Sequence, residues 1–390
     1  MKLIEVLENK IFDFPLESND YFPDHIFRIF QHYISLLESV DDEYAEIINQ
    51  NLPKIYETRD SILTATSSIF GGNTAKAYDM FSETIKYLEP FLTSPDKNFV
   101  QLNPTHLFKA RKTMDGQFGL KDMFHVPFEK RYETSTTRFS LPGVPCLYLA
   151  NSIYTCWEEL DRPVFSQMPV SRYELKGKNF KFLDLSNNRK FIIHSLKPKV
   201  YVENAAISRE KEKELFESII ELIKTFVLPR FINTYPLFAA CYIKVFNKDF
   251  YFKPEYIFPQ MLMQWIMTQN DIDGIKYLST KSKALNNPWS LRGNFFNYAI
   301  PIQSFQKIGY CPKMAEMINL TEPLTYELFS VINPVKANTL LDYEKDIKNK
   351  VHASPIDYIN LNNSNTYYLD TTFGLLEHKL LNMEVKSLLA

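Results

Sequence analysis

Ten glycines in 390 residues set the first limit on this chain. Neither G-x-G-x-x-G nor G-x-x-x-x-G-K-[ST] occurs in it. Folds that cradle phosphates with glycine-rich backbone at a strand-to-helix turn are therefore not expected. Any phosphorylated ligand has to be held largely by side chains, so the search turns to Arg, Lys and their neighbours.

Formal net charge is −2, which gives no global basic field of the kind that marks general nucleic-acid binders. A nucleic-acid partner is not expected. Hydrophobic residues make up 45% and charged residues 23%, the balance of a chain able to bury a sizeable core. No stretch approaches the roughly 20 continuous apolar residues of a membrane span. Met1 to Asn9, which contains Glu5 and Glu8, is neither a basic n-region nor an apolar h-region. Cys146, Cys156, Cys241 and Cys311 lack CxxC spacing and any tight Cys/His cluster. Reduced, buried thiols in a cytoplasmic protein are expected, with no metal site.

From about Asp24 to Pro90 the pattern is helical. Ile26, Ile29, Phe30, Tyr33, Ile34 and Leu37 fall on one face, as do Ala77, Tyr78, Phe81, Ile85 and Leu88. Asn73 or Thr74 is a cap for the second of these helices. Thr93-Ser94-Pro95-Asp96 reads as a linker. After Asn103-Pro104 short β-prone runs begin, at His106 to Lys112, Pro145 to Leu149, Phe180 to Leu185 and Ala239 to Phe246. Helices are expected after the caps Ser152 and Ser208, the latter with Leu215, Ile219, Ile220 and Ile223 as its apolar face. Another is expected from Pro259 to Thr268. In the tail, Asn360 to Asn365 reads as a loop and Phe373 to Leu389 as a closing helix. There is no internal repeat. The irregular mixture indicates α+β rather than βαβ alternation.

The chemistry-bearing residues crowd between Lys109 and Glu159. Arg111 and Arg138 offer planar donors suited to phosphate oxygens. Tyr148, on a strand, offers a flat face for a ring. A Glu on the next helix can accept from sugar hydroxyls and stabilise positive charge at an anomeric carbon. Taken singly, each has a blander reading: a surface ion pair, a core tyrosine, a solvated carboxylate.

Their order is similar to that of the RES family of bacterial NAD⁺-degrading toxins. The matching positions are Arg111, then Arg138-Phe139-Ser140 with Pro142-Gly143, then Tyr148, then Glu159. The eleven-residue spacing from Tyr148 favours Glu159 over Glu158. Pro259 to Trp265, followed by Asp273-Gly274-Ile275-Lys276-Tyr277-Leu278-Ser279, resembles the family's second block and assigns Ser279 to the pocket. Lys109 stands where many members have Arg, and Thr136-Thr137 where short members have two glycines. Lys109 and His125 join the candidate substrate-binding set, with a structural role favoured for His125.

The resemblance covers roughly 107–301. It implies an ADP-ribosyltransferase-like core of two small sheets with flanking helices at 99–330. A helical N-terminal domain at 1–98 precedes it, and a C-terminal extension at 331–390 packs on the core. It further implies Glu159 and Arg111 as catalytic, with Arg138, Tyr148 and Ser279 binding NAD⁺ as substrate, without cofactor or metal. Water, phosphate or a macromolecule remain open as acceptor. The expected partners are an inhibitory, antitoxin-like protein and a second copy of the chain. Two other readings stay in view, a non-catalytic scaffold and a ribonuclease. The ribonuclease rests on Arg189-x4-His194, which lies in a strand-like run.

Overall fold

In a computed structural model of the chain, the described residues are 1–18, 21–93, 106–113, 118–134, 136–176, 180–186, 189–197, 209–281, 295–325, 358–361 and 364–389. The helices are α1 Leu3–Leu7, α2 Phe22–Glu38, α3 Ala45–Phe70, α4 Thr74–Leu92, α5 Ile153–Glu159, α6 Arg189–Leu196, α7 Arg209–Leu222, α8 Leu228–Cys241, α9 Ile257–Met267, α10 Pro312–Met317 and α11 Thr372–Leu381. The strands are β1 Leu107–Ala110, β2 Cys146–Ala150, β3 Val170–Leu175, β4 Phe182–Asp184, β5 Gly274–Leu278, β6 Phe296–Pro301, β7 Ile318–Leu320, β8 Tyr358–Leu361 and β9 Ser364–Tyr367. The mixture of helix and sheet is α+β, as the sequence indicated.

The chain forms two compact units, each gathered from separated stretches. The first takes Met1–Lys97, Thr137–Phe139 and Leu183–Thr268; the second takes Asn98–Thr136, Ser140–Phe182 and Gln269–Ala390. The first unit is helical. Every apolar position expected on the buried face of α2 is buried. Asn73 caps α4 by accepting from the Lys76 amide at 3.1 Å. Tyr33 stacks on Tyr235 of α8 with ring centroids 4.1 Å apart, and its hydroxyl donates to the Ile232 carbonyl at 2.6 Å.

Three local expectations are corrected. Ala239 to Phe246 is not a strand, because Ala239–Cys241 closes α8, whose residues are buried all round apart from Pro229. A helix apolar on every face loses its 3.6-residue signature and reads like a buried strand. Arg189 to His194, expected as strand-like, is α6. Asn360 and Asn365, expected in a loop, are register partners in the β8–β9 hairpin, where backbone pairing needs no apolar side chains. The capping role expected of Ser208 falls outside the described residues, as do residues 94–96 of the expected linker.

The second unit is built on the strands β5-β6-β2-β1-β3-β7, which lie in that order in the sheet. Two halves are visible in it. β2 and β6 share five register pairs and β1 and β3 share four, while β1 and β2 meet through Phe108↔Ala150 alone. Where the sequence led to an expectation of two small sheets, the structure has one seven-stranded sheet, continuous through the β1–β2 pair, and a separate β8–β9 hairpin. Leu107, Leu147, Leu149, Tyr298 and Ile300 bury one face against Phe124 and Met314. Phe108, Ala110 and Ala150 bury the other against Ile153, Tyr154, Phe373 and Leu376, from α5 and α11. The closing helix expected from Phe373 to Leu389 is shorter, ending at Leu381, and forms part of the sheet's second layer.

Candidate active site

The Asp-Gly-Ile-x-Tyr-x-Ser stretch is shaped by backbone packing. A Cβ on Gly274 would lie 2.4 Å from the Ala299 carbonyl oxygen of the neighbouring strand, so only glycine allows β5 and β6 to approach there. The buried Asp273 carboxylate anchors the start of β5. It accepts from the Lys181 amide at 3.0 Å and from the Gln303 side chain at 3.2 Å. Ser279 continues the ladder, donating its amide to the Phe295 carbonyl at 2.9 Å. With a period of two, Ile275, Tyr277 and Ser279 then share one face.

Helix α5 delivers the carboxylate. Ser152 starts it by accepting from the Thr155 amide at 3.1 Å. The adjacent glutamates near its end have separate fates. Glu158, 4% exposed, takes the Tyr154 hydroxyl and a two-bond contact from Arg162, at 3.0 and 2.9 Å. Glu159 turns to the sheet instead. Ser279 Oγ donates to its Oε1 at 2.7 Å, and Asn297 Nδ2 donates to the same oxygen at 2.6 Å. Two chain segments 120 residues apart thereby converge on one carboxylate oxygen.

Asn297 was missed by the sequence reading. Its position on β6 gives no local signal, since a lone Asn in a strand reads as an edge or turn residue. Alternation places it with Ala299, opposite the buried Tyr298 and Ile300. Tyr148 is the register partner of Ala299, and Tyr277 that of Asn297. Tyr148, Tyr277, Asn297, Ser279 and Glu159 therefore belong to one side of the sheet.

The other expected residues have partners of their own. Lys109 alternates with Phe108 and Ala110, so it points to the opposite face, where Nζ donates to the Phe124 carbonyl at 2.6 Å. Burial, reinforced by Arg111, brings its pKa down to about 7. Arg111, just beyond β1, donates to the Asp122 carbonyl at 2.5 Å and lies over the Phe118 ring at 4.7 Å. His125 is buried among Phe124, Phe128 and Tyr310. Its Nδ1 contacts the Val126 carbonyl at 2.7 Å and its Nε2 accepts the Cys311 amide at 2.9 Å, so both ring nitrogens are engaged. Burial lowers its pKa to about 4, and it stays neutral at physiological pH. Arg138 belongs to the first unit, where it donates to the Cys241 and Ile243 carbonyls at 2.7 and 2.9 Å and lies over Tyr256. The structure brings together Glu159 and Ser279, with Tyr148 on their face. It does not bring Lys109 or His125 to them.

Burial raises the thiols of Cys146, Cys156 and Cys241 far above the range in which a thiolate nucleophile forms. Among the described residues no group of His, Cys, Asp or Glu is placed to hold a metal, and no helix is long and apolar enough to cross a membrane. Among the described residues, the Glu159 carboxylate is oriented by two neutral donors, with Tyr148 and Tyr277 on the same side of the sheet.

Fold and cluster together define an α+β protein with a Ser- and Asn-anchored glutamate on one face of its sheet. No family profile and no solved structure matches the chain. A Bacillus subtilis (strain 168) protein named "Putative toxin YopC" is 30% identical over 336 residues, covering 81% of this chain and 69% of that protein. The chain belongs to that protein's family.

Proposed function

We propose that this chain cleaves the nicotinamide–ribose bond of NAD⁺ and acts as a toxin by depleting the dinucleotide. The observation that carries this reading is the convergence of Ser279 and Asn297 on Glu159 Oε1, at 2.7 and 2.6 Å. It joins the two separated blocks that resemble the RES family. The name of the relative supports the toxin part of the reading.

In the proposed reaction the C1′–N bond breaks and its electron pair leaves with nicotinamide, which departs neutral. Positive charge develops at C1′ and the ring oxygen. The Glu159 carboxylate accepts from the ribose hydroxyls and offsets that charge, which is the purpose of a preorganised anion at such a centre. Tyr148 and Tyr277 flank the ring system. Water or phosphate then forms the new C1′–O bond and releases a proton. The leaving group needs no protonation, because cationic nicotinamide becomes neutral as it takes the electron pair. Arg111, whose guanidinium donates to the Asp122 carbonyl, is the proposed diphosphate ligand.

The test is to incubate the purified chain with NAD⁺, with and without phosphate, and identify the products. ADP-ribose, ADP-ribose-1″-phosphate or a labelled macromolecule separates glycohydrolase, phosphorylase and transferase. Unchanged NAD⁺ with folded protein overturns the proposal.

A further inference from the structure

Immediately after Glu159 the chain makes a turn that L-residues rarely adopt. Asp161 and Arg162 both have positive φ, at 60° and 56°, and neither is glycine. Such strain persists only where the surroundings impose it. Here they do so at several points. Arg162 donates to buried Glu158 through Nε and Nη2, and its guanidinium lies 5.2 Å from the Trp157 ring centroid. Its amide returns to the Trp157 carbonyl at 2.9 Å, and the Trp157 indole donates to the Pro163 carbonyl at 2.9 Å. The turn folds back on the helix that bears the carboxylate.

One cation then ties this turn to the sheet. Lys281 lies two residues after Ser279. Its Nζ donates to the Glu159 backbone carbonyl at 2.5 Å and pairs with Asp161 Oδ1 at 3.1 Å. Its amide donates to Ser279 Oγ at 3.3 Å. Ser279 Oγ is the same atom that donates to the Glu159 carboxylate. Glu159 is therefore gripped twice from the end of β5, at its side chain by Ser279 and at its backbone by Lys281. The grip on the backbone uses a carbonyl that the end of a helix leaves without an intrahelical partner.

We infer that Lys281 and the left-handed Asp161–Arg162 turn are positioning residues that lock the end of α5 against β5 and so fix the direction of the Glu159 carboxylate. This rests on the proposed NAD⁺ reading for its catalytic consequence, but not for the mechanical one. A fixed carboxylate stabilises developing charge without reorganising, whereas one free to rotate loses that advantage. Lys281 is not assigned any contact with substrate.

The test compares the full chain with Lys281→Met, Lys281→Arg and Asp161→Gly. Two readouts are used, NAD⁺ turnover and hydrogen exchange of the Leu160–Arg162 amides. Lys281→Met is expected to lower kcat by about 10²-fold with KM little changed. It should also speed exchange of those amides at least about tenfold while the β2–β6 ladder stays protected. Lys281→Arg restores most of both. Asp161→Gly relieves the strain and removes the ion pair, and lowers kcat although its melting temperature holds or rises. Unchanged exchange and unchanged kcat in Lys281→Met overturn the inference, as does a fall in kcat that merely tracks a loss of folded protein. If the wild-type chain leaves NAD⁺ intact but exchange responds as described, the lock stands and the NAD⁺ reading falls.

Discussion

The Ile153 amide, the first of α5, donates to the buried Glu377 carboxylate of α11 at 2.6 Å. The Tyr368 hydroxyl donates to the same oxygen. The helix that presents Glu159 is thus anchored at its start by α11 and at its end by β5. Burial pushes the Glu377 pKa from 4.5 up to about 8, against the pull of its two donors. The folded chain therefore keeps this carboxyl protonated where the unfolded chain has ionised it. Its contribution to stability is full below about pH 4.5 and is lost as pH rises towards 8.

Glu377→Gln keeps an oxygen facing Ile153 and Tyr368 but cannot ionise. Its stability relative to the wild type should rise with pH through this window, by up to about 1.4 kcal/mol per pH unit, and level off above it. Thermal melts of both proteins between pH 5 and 8.5 check this. Parallel curves would show that Glu377 is not the group responsible.

Glu159→Ala should reduce NAD⁺ turnover by roughly 10³-fold with the circular-dichroism spectrum unchanged, since among the described residues its carboxylate is held by Ser279 and Asn297. Asn297→Ala removes one of those two donors and is expected to lower kcat by about 10²-fold, mostly without raising KM. Turnover close to wild type in Glu159→Ala would remove the glutamate from the mechanism.

Gly274→Ala sets a methyl group against the Ala299 carbonyl, where 2.4 Å of separation is far too little. The strands have to part, and a cost of about 1–3 kcal/mol is expected from overpacking. Urea unfolding measures it. Activity should fall with it, because β5 carries Ser279.

Arg138 and Arg111 both offer donors suited to phosphate oxygens, and their surroundings differ. Arg138→Ala deprives the Cys241 and Ile243 carbonyls of their donors and should destabilise the chain by about 1–3 kcal/mol, with KM for NAD⁺ unchanged in the folded fraction. Arg111→Ala should leave stability nearly intact and raise KM. Kinetics and denaturation on both variants decide; the reverse pattern would return the diphosphate to Arg138.

Several features were legible because their causes lie within a few residues. Asn73 and Ser152 cap helices through amides three positions away. The apolar stripe of α2 follows from the period of the helix alone. Ser279 was singled out for a different reason, the resemblance of Asp273 to Ser279 to the second block of the RES family.

The chain's sequence by itself determined these caps and the amphipathic N-terminal helices, and its resemblance to the RES pattern favoured Glu159 over Glu158. Only the tertiary structure decided that Asn297 shares Glu159 with Ser279 and that Lys109 faces away. It also decided that 183–268 joins the N-terminal helices. The physical reason is range. A cap or an amphipathic stripe is fixed by backbone bonds over three or four residues, whereas the pairing of β6 with β2 and β5 is selected among many registers by the packing of both faces at once.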